Sequence, residues 1–324
     1  MRTITLTQML RETLEAELRR DPSVFLMGED IGCYGGSFGV TRGLIDLFGA
    51  ERIRDTPISE QALTGLAIGA AVAGQRPVIE IMFMDFITLA VDQLVNMAAK
   101  LYPIYGMHCP LVIRTPPGAG RGYGATHSQS LERLFTGIPG IKVVAPSNAH
   151  DASGLLQSAI RDNNPVLFLE HKLLYPQRFE VADTLPDPIP FGVAQLVREG
   201  TDVTLIAWSQ MTQVACQAAA ELARDGIEAE VVDLRTLNPL DITTLAESAK
   251  NTGRVIVIEE GPKTGGFGAE ICAQLVEQVY DYLERPIRRF ASPDWPVPSA
   301  KNLEALWVPS VSGVVALARE MVEE

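Results

Sequence analysis

Short apolar segments alternate with longer segments of helical period along most of the chain. The nearly continuous runs of Val, Ile and Leu predict strands that are buried on both faces, as in a parallel sheet covered by helices. In the N-terminal half, the predicted strands are residues 24–27, 77–81, 111–114, 142–145 and 166–170. Helical spacing predicts helices at residues 8–19, 59–73, 85–101 and 149–161. Such alternation is typical of a doubly wound α/β domain.

A proline-rich break interrupts this pattern at residues 181–192, which carry three prolines and two acids and show little helical or strand periodicity. Alternation then resumes. The predicted strands are residues 203–208, 228–233, 254–259 and 286–290, and the predicted helices are residues 212–224, 242–251, 268–282 and 313–322. The sequence therefore predicts an α/β protein with two doubly wound domains, residues 1–180 and 198–324, joined by a linker at 181–197.

Composition limits the classes of partner that this protein is expected to bind. The 324 residues carry a formal net charge of −13, with a sequence pI of about 4.9, and no extended basic cluster. This balance argues against nucleic-acid and membrane partners, since both present negative charge. The four cysteines have no metal-binding spacing and are expected to be reduced thiols. No signal-peptide pattern opens the chain, and the weakly polar run at 62–74 is too short to span a bilayer, so we expect a cytoplasmic protein.

The segment DTPISE places Glu60 in the first turn of a predicted helix. For an isolated glutamate, the better explanation is an acid favoured by the helix dipole. The following segment IMFMDF, residues 81–86, supplies methionines and aromatics. If it packs near Glu60, the carboxyl group lies in a dry pocket, has a raised pKa and can hold or pass a proton near neutrality. Taken alone, the Met and Phe cluster is better explained by ordinary core packing.

A glycine-rich loop at residues 114–130, RTPPGAGRGYGATHSQS, follows a predicted strand, where ligand sites of α/β domains lie. It presents His127, one of four histidines, and histidine suits acid–base chemistry near neutral pH. A histidine that only satisfies backbone groups is an equally good explanation.

Two further segments have simple structural explanations. SAIRDNNP, residues 158–165, has the pattern of a helix end stopped by proline, although the carbonyls of a helix C-terminus also suit a hard cation. EEGPKTGGFGAE, residues 259–270, lies between a predicted strand and a predicted helix but lacks the full GxGxxG pattern. A tight turn is the better interpretation of it than a nucleotide site.

A series of motifs in a fixed order is more specific for a protein family than any single motif. GEDIG, YGGSFGVTRGL, DTPISE, IEIMFMDF, HSQS, PGIKVVAPSN, AIRDNNPVLFLEHKLLY, VVDLRTLNPLD and VIVIEEGPKTGGFG occur along the chain. This series resembles the beta chain of thiamine-diphosphate-dependent 2-oxo acid dehydrogenases, a family that includes the pyruvate, branched-chain 2-oxo acid and acetoin enzymes. The resemblance covers essentially the whole chain. It implies a pyrimidine-binding thiamine-diphosphate domain followed by a transketolase C-terminal-like domain.

The same resemblance implies roles for individual residues. Glu60 is expected to hydrogen-bond the aminopyrimidine ring of thiamine diphosphate, with Met82 and Phe86 packed against that ring. His127 is expected to handle the acyl group and its transfer to a lipoyl arm. A potassium site, made largely of backbone carbonyls, is implied at Ile113, Ala159, Ile160, Asp162 and Asn164.

The chain contains no GDG segment, the motif with which the family holds the cofactor diphosphate through Mg²⁺. The resemblance therefore implies a separate alpha chain that supplies these ligands, in an α2β2 heterotetramer, and a lipoyl-bearing acyltransferase as acyl acceptor. Pyruvate is the first expected substrate. Because IYGMHCP, residues 104–110, departs from the pyruvate enzymes, acetoin and branched-chain 2-oxo acids stay open as substrates. Two other functions also stay open: a transketolase-like carbon–carbon transferase and a non-catalytic scaffold.

Overall fold

The computed structural model describes residues 1–323 and divides the chain into two compact units. The first comprises Met1–Pro117 and Leu134–Phe191, and the second comprises Gly118–Arg133 and the chain from Gly192 onward. The sequence-based division instead assigns residues 118–133 to the first domain. Backbone amides of this segment donate hydrogen bonds to Glu260 and Glu304 of the second unit, and no local pattern reveals these contacts.

The first unit is built on parallel strands that match the predicted apolar runs. Its strands are β1 (Arg2–Thr5), β2 (Val24–Gly28), β3 (Ile53–Asp55), β4 (Arg76–Glu80), β5 (Val112–Thr115), β6 (Lys142–Val144), β7 (Val166–Leu169) and β8 (Arg178–Val181). Its helices are α1 (Leu6–Arg20), α2 (Leu44–Phe48), α3 (Glu60–Val72), α4 (Leu101–Tyr105), α5 (Arg133–Thr136) and α6 (Ala149–Arg161).

Six of these strands pair in parallel in the order β6-β7-β5-β4-β2-β3, while β1 pairs antiparallel with β8. All five residues of β2 and all four of β7 are buried, as expected for strands covered on both faces. Helices α1 and α6 pack together on one face. A capping box starts α1, in which Thr5 Oγ1 accepts the Gln8 N–H and Gln8 Oε1 accepts the Thr5 N–H.

The continuous helix predicted at residues 85–101 is wrong. The segment forms a 3₁₀ helix (Met84–Ala90), a π-helical turn (Gln93–Met97) and a second 3₁₀ turn (Ala98–Lys100) before α4. Apolar residues three or four apart are compatible with all three helix types, so the spacing could not distinguish them.

The second unit contains a smaller sheet with helices on it. Its strands are β9 (Gln195–Arg198), β10 (Val203–Ala207), β11 (Ala229–Asp233), β12 (Thr236–Asn238), β13 (Val255–Pro262) and β14 (Arg288–Ser292). Its helices are α7 (Gln210–Leu222), α8 (Ile242–Thr252), α9 (Gly268–Val279), α10 (Lys301–Trp307) and α11 (Val311–Glu323). The sheet order is β14-β13-β10-β11-β9, parallel except for the edge strand β9. The α/β prediction is confirmed for both units.

One stretch of the described chain, Lys301–Glu323, could cross a membrane by length and composition alone. It is not one helix, because Val308, Pro309 and Ser310 separate α10 from α11. The apolar face of α11 is buried in the core of the second unit through Val314, Val315, Ala318 and Met321. This is the pattern of an amphipathic core helix.

Candidate active site

Glu60 is the first residue of α3, and only 5% of its surface is exposed. Within residues 1–323, no group donates a hydrogen bond to its carboxyl group. Buried acids are normally hydrogen-bonded or paired with a cation, because leaving them without either is costly. A buried acid without such a partner is therefore a candidate for contact with a ligand.

Glu29 lies beside Glu60 and was not predicted as a site residue. Its Oε1 accepts the backbone N–H of Ser59, the residue before α3, at 3.0 Å. Burial raises the pKa of Glu29, and the nearby Glu60 carboxyl group raises it further. Two carboxyl groups thus meet at the N-terminus of α3. The signal was available in the sequence, since Glu29 directly follows β2, which is paired with β4 at the middle of the sheet.

Met82 and Phe86 are half-buried, whereas their neighbours Ile81 and Met84 are buried. Helix α3, which begins with Glu60, packs against the 3₁₀ helix that carries Phe86. The Phe86 ring makes an edge contact with Phe83, with centroids 5.6 Å apart. The segment therefore offers partly open apolar side chains to a flat ring near α3.

A buried ion network fixes the carboxyl ends of the neighbouring strands. The Arg114 guanidinium on β5 binds Glu170 through two hydrogen bonds of 2.7 and 2.6 Å and Glu80 through one of 2.9 Å. Tyr175 donates to Glu170 at 2.8 Å. Burial opposes the charge on Arg114, but Glu170 and Glu80 outweigh it and raise its pKa. Since each charge has a partner, this network holds the strand ends that precede the Met82 segment.

Lys172 connects that network region to the aromatic segment. Its side chain is fully buried, and its Nζ lies 5.1 Å from the centre of the Phe83 ring. Phe83 in turn contacts both Phe38 and Phe86. A cation over an aromatic ring is favourable when both are desolvated. The orientation of Phe86 thus depends on side chains that the sequence analysis did not connect to it.

His127 lies in the second unit, on the segment Gly118–Arg133, which we call the histidine loop. It is half-buried. Its Nδ1 is 3.0 Å from Thr126 Oγ1, and its backbone N–H donates to the Gly124 carbonyl at 3.3 Å. The ring is therefore held locally and retains partial access to solvent.

A pocket of about 460 Å³ borders the histidine loop in the second unit. Gln129, Ser130 and Arg133 of the loop line it, opposite Thr264 and Trp295. Arg133 Nη1 donates to the Thr264 carbonyl at 2.8 Å. The volume suits a small organic group, and no sequence motif predicted it.

The predicted potassium ligands divide between a strand and a helix end. Ile113 lies in β5, and the others lie at or just beyond the C-terminus of α6. The carbonyls of Ile160 and Asp162 accept hydrogen bonds from Arg76 Nη1 at 3.0 and 2.9 Å. Arg76 therefore already supplies positive charge to two of the predicted ligands. Within residues 1–323, no group of three or more His, Cys, Asp or Glu side chains could hold a metal ion.

The glycines of residues 259–270 serve a strand-to-helix turn. Glu259 within β13 accepts the Gly268 N–H at 2.9 Å and pairs with Arg289. A Cβ atom at Gly266 or Gly268 would lie 2.6 or 2.7 Å from the Glu259 carboxylate. Close packing around an acid thus explains both glycines without a nucleotide.

Comparison with known proteins agrees with the two units. The family described as "Transketolase, pyrimidine binding domain" matches residues 2–178, and "Transketolase, C-terminal domain" matches residues 192–314. The beta subunit of the pyruvate dehydrogenase E1 component from Rickettsia felis is 44% identical over 320 residues, which is 98% of each chain. The chain belongs to the beta-subunit family of thiamine-diphosphate-dependent 2-oxo acid dehydrogenases.

Similar beta subunits occur in bacteria and in plants. The mitochondrial pyruvate dehydrogenase E1 beta-2 subunit of Oryza sativa is 45% identical over 98% of this chain and 85% of its own length. A solved structure titled "Split gene transketolase, inactive beta4 tetramer" superposes with a TM-score of 0.79 at 23% identity, covering 99% of this chain and 98% of that chain. At that identity, the superposition supports the fold alone. The recognition made from the motif series is confirmed by the pyruvate dehydrogenase relatives.

The residues of the beta subunit fit the aminopyrimidine half of the cofactor. Glu60 supplies a buried carboxyl group, and Met82 and Phe86 supply half-buried apolar surface. The roles of Glu60, His127, Met82 and Phe86 remain predictions, since the comparisons name the family without assigning individual residues.

Proposed function

We propose that this chain is the beta subunit of a pyruvate dehydrogenase that transfers the acetyl group to a lipoyl partner. The observation that carries the proposal is the buried Glu60 carboxyl group at the start of α3, in a chain 44% identical to pyruvate dehydrogenase beta subunits. Thiamine diphosphate would supply the carbon nucleophile and electron sink for decarboxylation. Glu60 would hold a proton on the aminopyrimidine ring nitrogen, while Met82 and Phe86 would exclude water from that ring.

Glu29 and His127 would have separate tasks. Through the Ser59 N–H, Glu29 would fix the turn that presents Glu60. His127, half-buried on the histidine loop, would act as acid and base when the acyl group passes to the lipoyl arm.

The rest of the assembly is also a proposal. We infer an alpha subunit that supplies the Mg²⁺ and diphosphate ligands, in an α2β2 heterotetramer, and a lipoyl-bearing acyltransferase as partner. The names of the relatives, which are beta subunits of an E1 component, support the alpha subunit. A potassium ion at the α6 end would share the carbonyls of Ile160 and Asp162 with Arg76.

Glu60→Gln tests the function, because the amide keeps the shape of the side chain and removes its proton transfer. In the assembled complex, we expect pyruvate turnover to fall by at least ~10²-fold, the scale of one general acid–base group. Glu51→Gln, at an exposed acid of the same unit, is the matched control and should retain activity. Near-normal turnover of Glu60→Gln would refute the assignment.

A transketolase-like carbon–carbon transferase is a second candidate, because both units match family models of transketolase domains. The two candidates differ in acceptor. If the assembled complex transfers a ketol group between sugar phosphates and does not acylate a lipoyl domain, the second candidate replaces the first.

A further inference from the structure

Glu304 on α10 binds the histidine loop through both oxygens of its carboxylate. Oε1 accepts the Gly120 N–H and Oε2 accepts the Gly122 N–H, each at 2.8 Å. Only 2% of the Glu304 surface is exposed. Hydrogen bonds from backbone amides to a buried carboxylate are stronger than those between neutral groups. Glu304 therefore fixes two consecutive turns of a loop that has little other regular structure.

The rest of α10 and the segment before it support the same loop. Trp307 is buried against Ala119 of the loop, and its Nε1 donates to the Trp295 carbonyl at 2.9 Å. A Cβ atom on Gly122 would lie 3.2 Å from the Ser299 carbonyl oxygen. The loop therefore packs closely on both sides of the Glu304 hydrogen bonds.

The path from Glu304 to His127 is short. Gly122 and Gly124 both have positive φ angles, +73° and +75°, and both pack against Ser299. The carbonyl of Gly124 accepts the His127 N–H at 3.3 Å. A shift of the loop at Gly120 or Gly122 would therefore be passed directly to the turn that carries the His127 ring.

We propose that Glu304 is a positioning residue for acyl transfer, holding the histidine loop so that His127 reaches the acyl group and the lipoyl arm. The inference rests on the proposed function, in which His127 serves acyl transfer. It assigns a catalytic consequence to a residue in the last helix pair, more than 170 residues from His127 along the chain.

Glu304→Gln is the test variant, because its amide keeps the size of the side chain but can accept only one of the two N–H groups well. In the assembled complex, we expect acyl transfer to a lipoyl domain to fall ~10- to 10²-fold, the scale of a misplaced catalytic group. Decarboxylation measured with an artificial electron acceptor should stay within about twofold, because it does not use His127 in this proposal. Glu320→Gln, at a partly exposed acid on α11 that pairs with Arg288, should leave both rates unchanged.

Hydrogen exchange gives a readout that does not depend on activity. In Glu304→Gln, the amides of Gly120 and Gly122 should exchange roughly tenfold faster, as expected when a hydrogen bond is lost. The amides of the β10 core should exchange at the wild-type rate, showing that the variant is folded.

His127→Ala, assayed in parallel, separates the two proposals. If His127→Ala loses both activities equally, the proposed role of His127 fails. If His127→Ala loses acyl transfer selectively but Glu304→Gln does not, the positioning role is overturned while the proposed function stands. Faster exchange in Glu304→Gln, together with a loss of acyl transfer alone, supports the positioning role.

Discussion

Glu132, at the end of the histidine loop, is a carboxyl group buried beneath Trp208. Its Oε1 accepts the Trp208 Nε1–H at 3.3 Å, and its Oε2 has no hydrogen-bond partner among residues 1–323. Burial raises the pKa of Glu132 from its ordinary value of 4.5 to about 7, and the charges of Glu259 and Glu260 add to the shift. At neutral pH, this acid is therefore partly protonated in the folded protein.

The raised pKa of Glu132 predicts a pH dependence of stability. The folded state keeps the proton up to about pH 7, whereas the unfolded carboxyl group releases it near 4.5. The contribution of Glu132 is thus full below about pH 4.5, falls as pH rises to about 7 and is constant above that value. The loss is on the order of 3 kcal/mol.

Urea unfolding of wild type and of Glu132→Gln from pH 5 to 8 measures this loss of stability. Relative to Glu132→Gln, whose amide does not titrate, the wild-type free energy of unfolding should fall as pH rises across that range. Glu277→Gln, at an exposed acid of α9, should follow wild type at every pH. Parallel curves for wild type and Glu132→Gln would contradict the prediction.

At the level of elements, the ends of strands and helices carry the chemistry of the first unit. Glu60 begins α3, Glu29 follows β2, and Arg114 joins the ends of β4, β5 and β7. Parallel strands bring their carboxyl ends to one edge of the sheet, which is where ligands of α/β domains bind. The interiors of the same elements are apolar, so the site uses the positions that the core leaves free.

The C-terminal end of α6 offers a prediction about potassium. If an ion binds there, it stabilises the folded state by about 1.4 kcal/mol at ten times its dissociation constant. That corresponds to a rise of about 3 °C in Tm for a domain of this size. The Tm measured in potassium chloride should be higher than the Tm measured in N-methylglucamine chloride at equal ionic strength. Identical Tm values in the two salts would show that Arg76 alone neutralises this helix end.

At the level of the whole molecule, the proposed function assigns to this chain the groups for one half of the cofactor. Its buried acid and half-buried apolar side chains suit the aminopyrimidine ring. The given sequence contains no GDG segment of the kind with which the family holds the diphosphate through Mg²⁺. This division motivates the proposal of a second, different subunit.

Calorimetric titration of thiamine diphosphate with Mg²⁺ tests that division. We expect tight binding after this chain has been mixed with its candidate alpha chain, and weak or undetectable heat with this chain alone. The physical reason is that the diphosphate contributes much of the binding energy through its charge and the metal. Tight binding to the isolated chain would place a diphosphate site here and would favour the transketolase-like candidate.

The fold was largely predictable because its signals are local. Strands such as 24–27 and 166–170 were predicted because nearly every position in them is apolar. The helical types at residues 84–100 were not predictable, since their periodicities overlap. For the site, the DTPISE segment predicted a helix start at Glu60, and the structure adds its burial. Glu29 was missed although it directly follows a predicted strand, and Glu304 was missed because an acid within a short helix has no distinctive pattern.

The sequence by itself determined the α/β class, the family and the identity of the candidate catalytic groups, because these depend on periodicity and on motifs that are contiguous in the chain. Only the tertiary structure decided which buried charges are paired with an opposite charge and which residue holds the histidine loop. Arg114 meets Glu170 across 56 positions, and Glu304 meets Gly122 across 182. Such contacts depend on how the strands and helices are ordered in space, and a pattern read along the chain carries no information about distances of that kind.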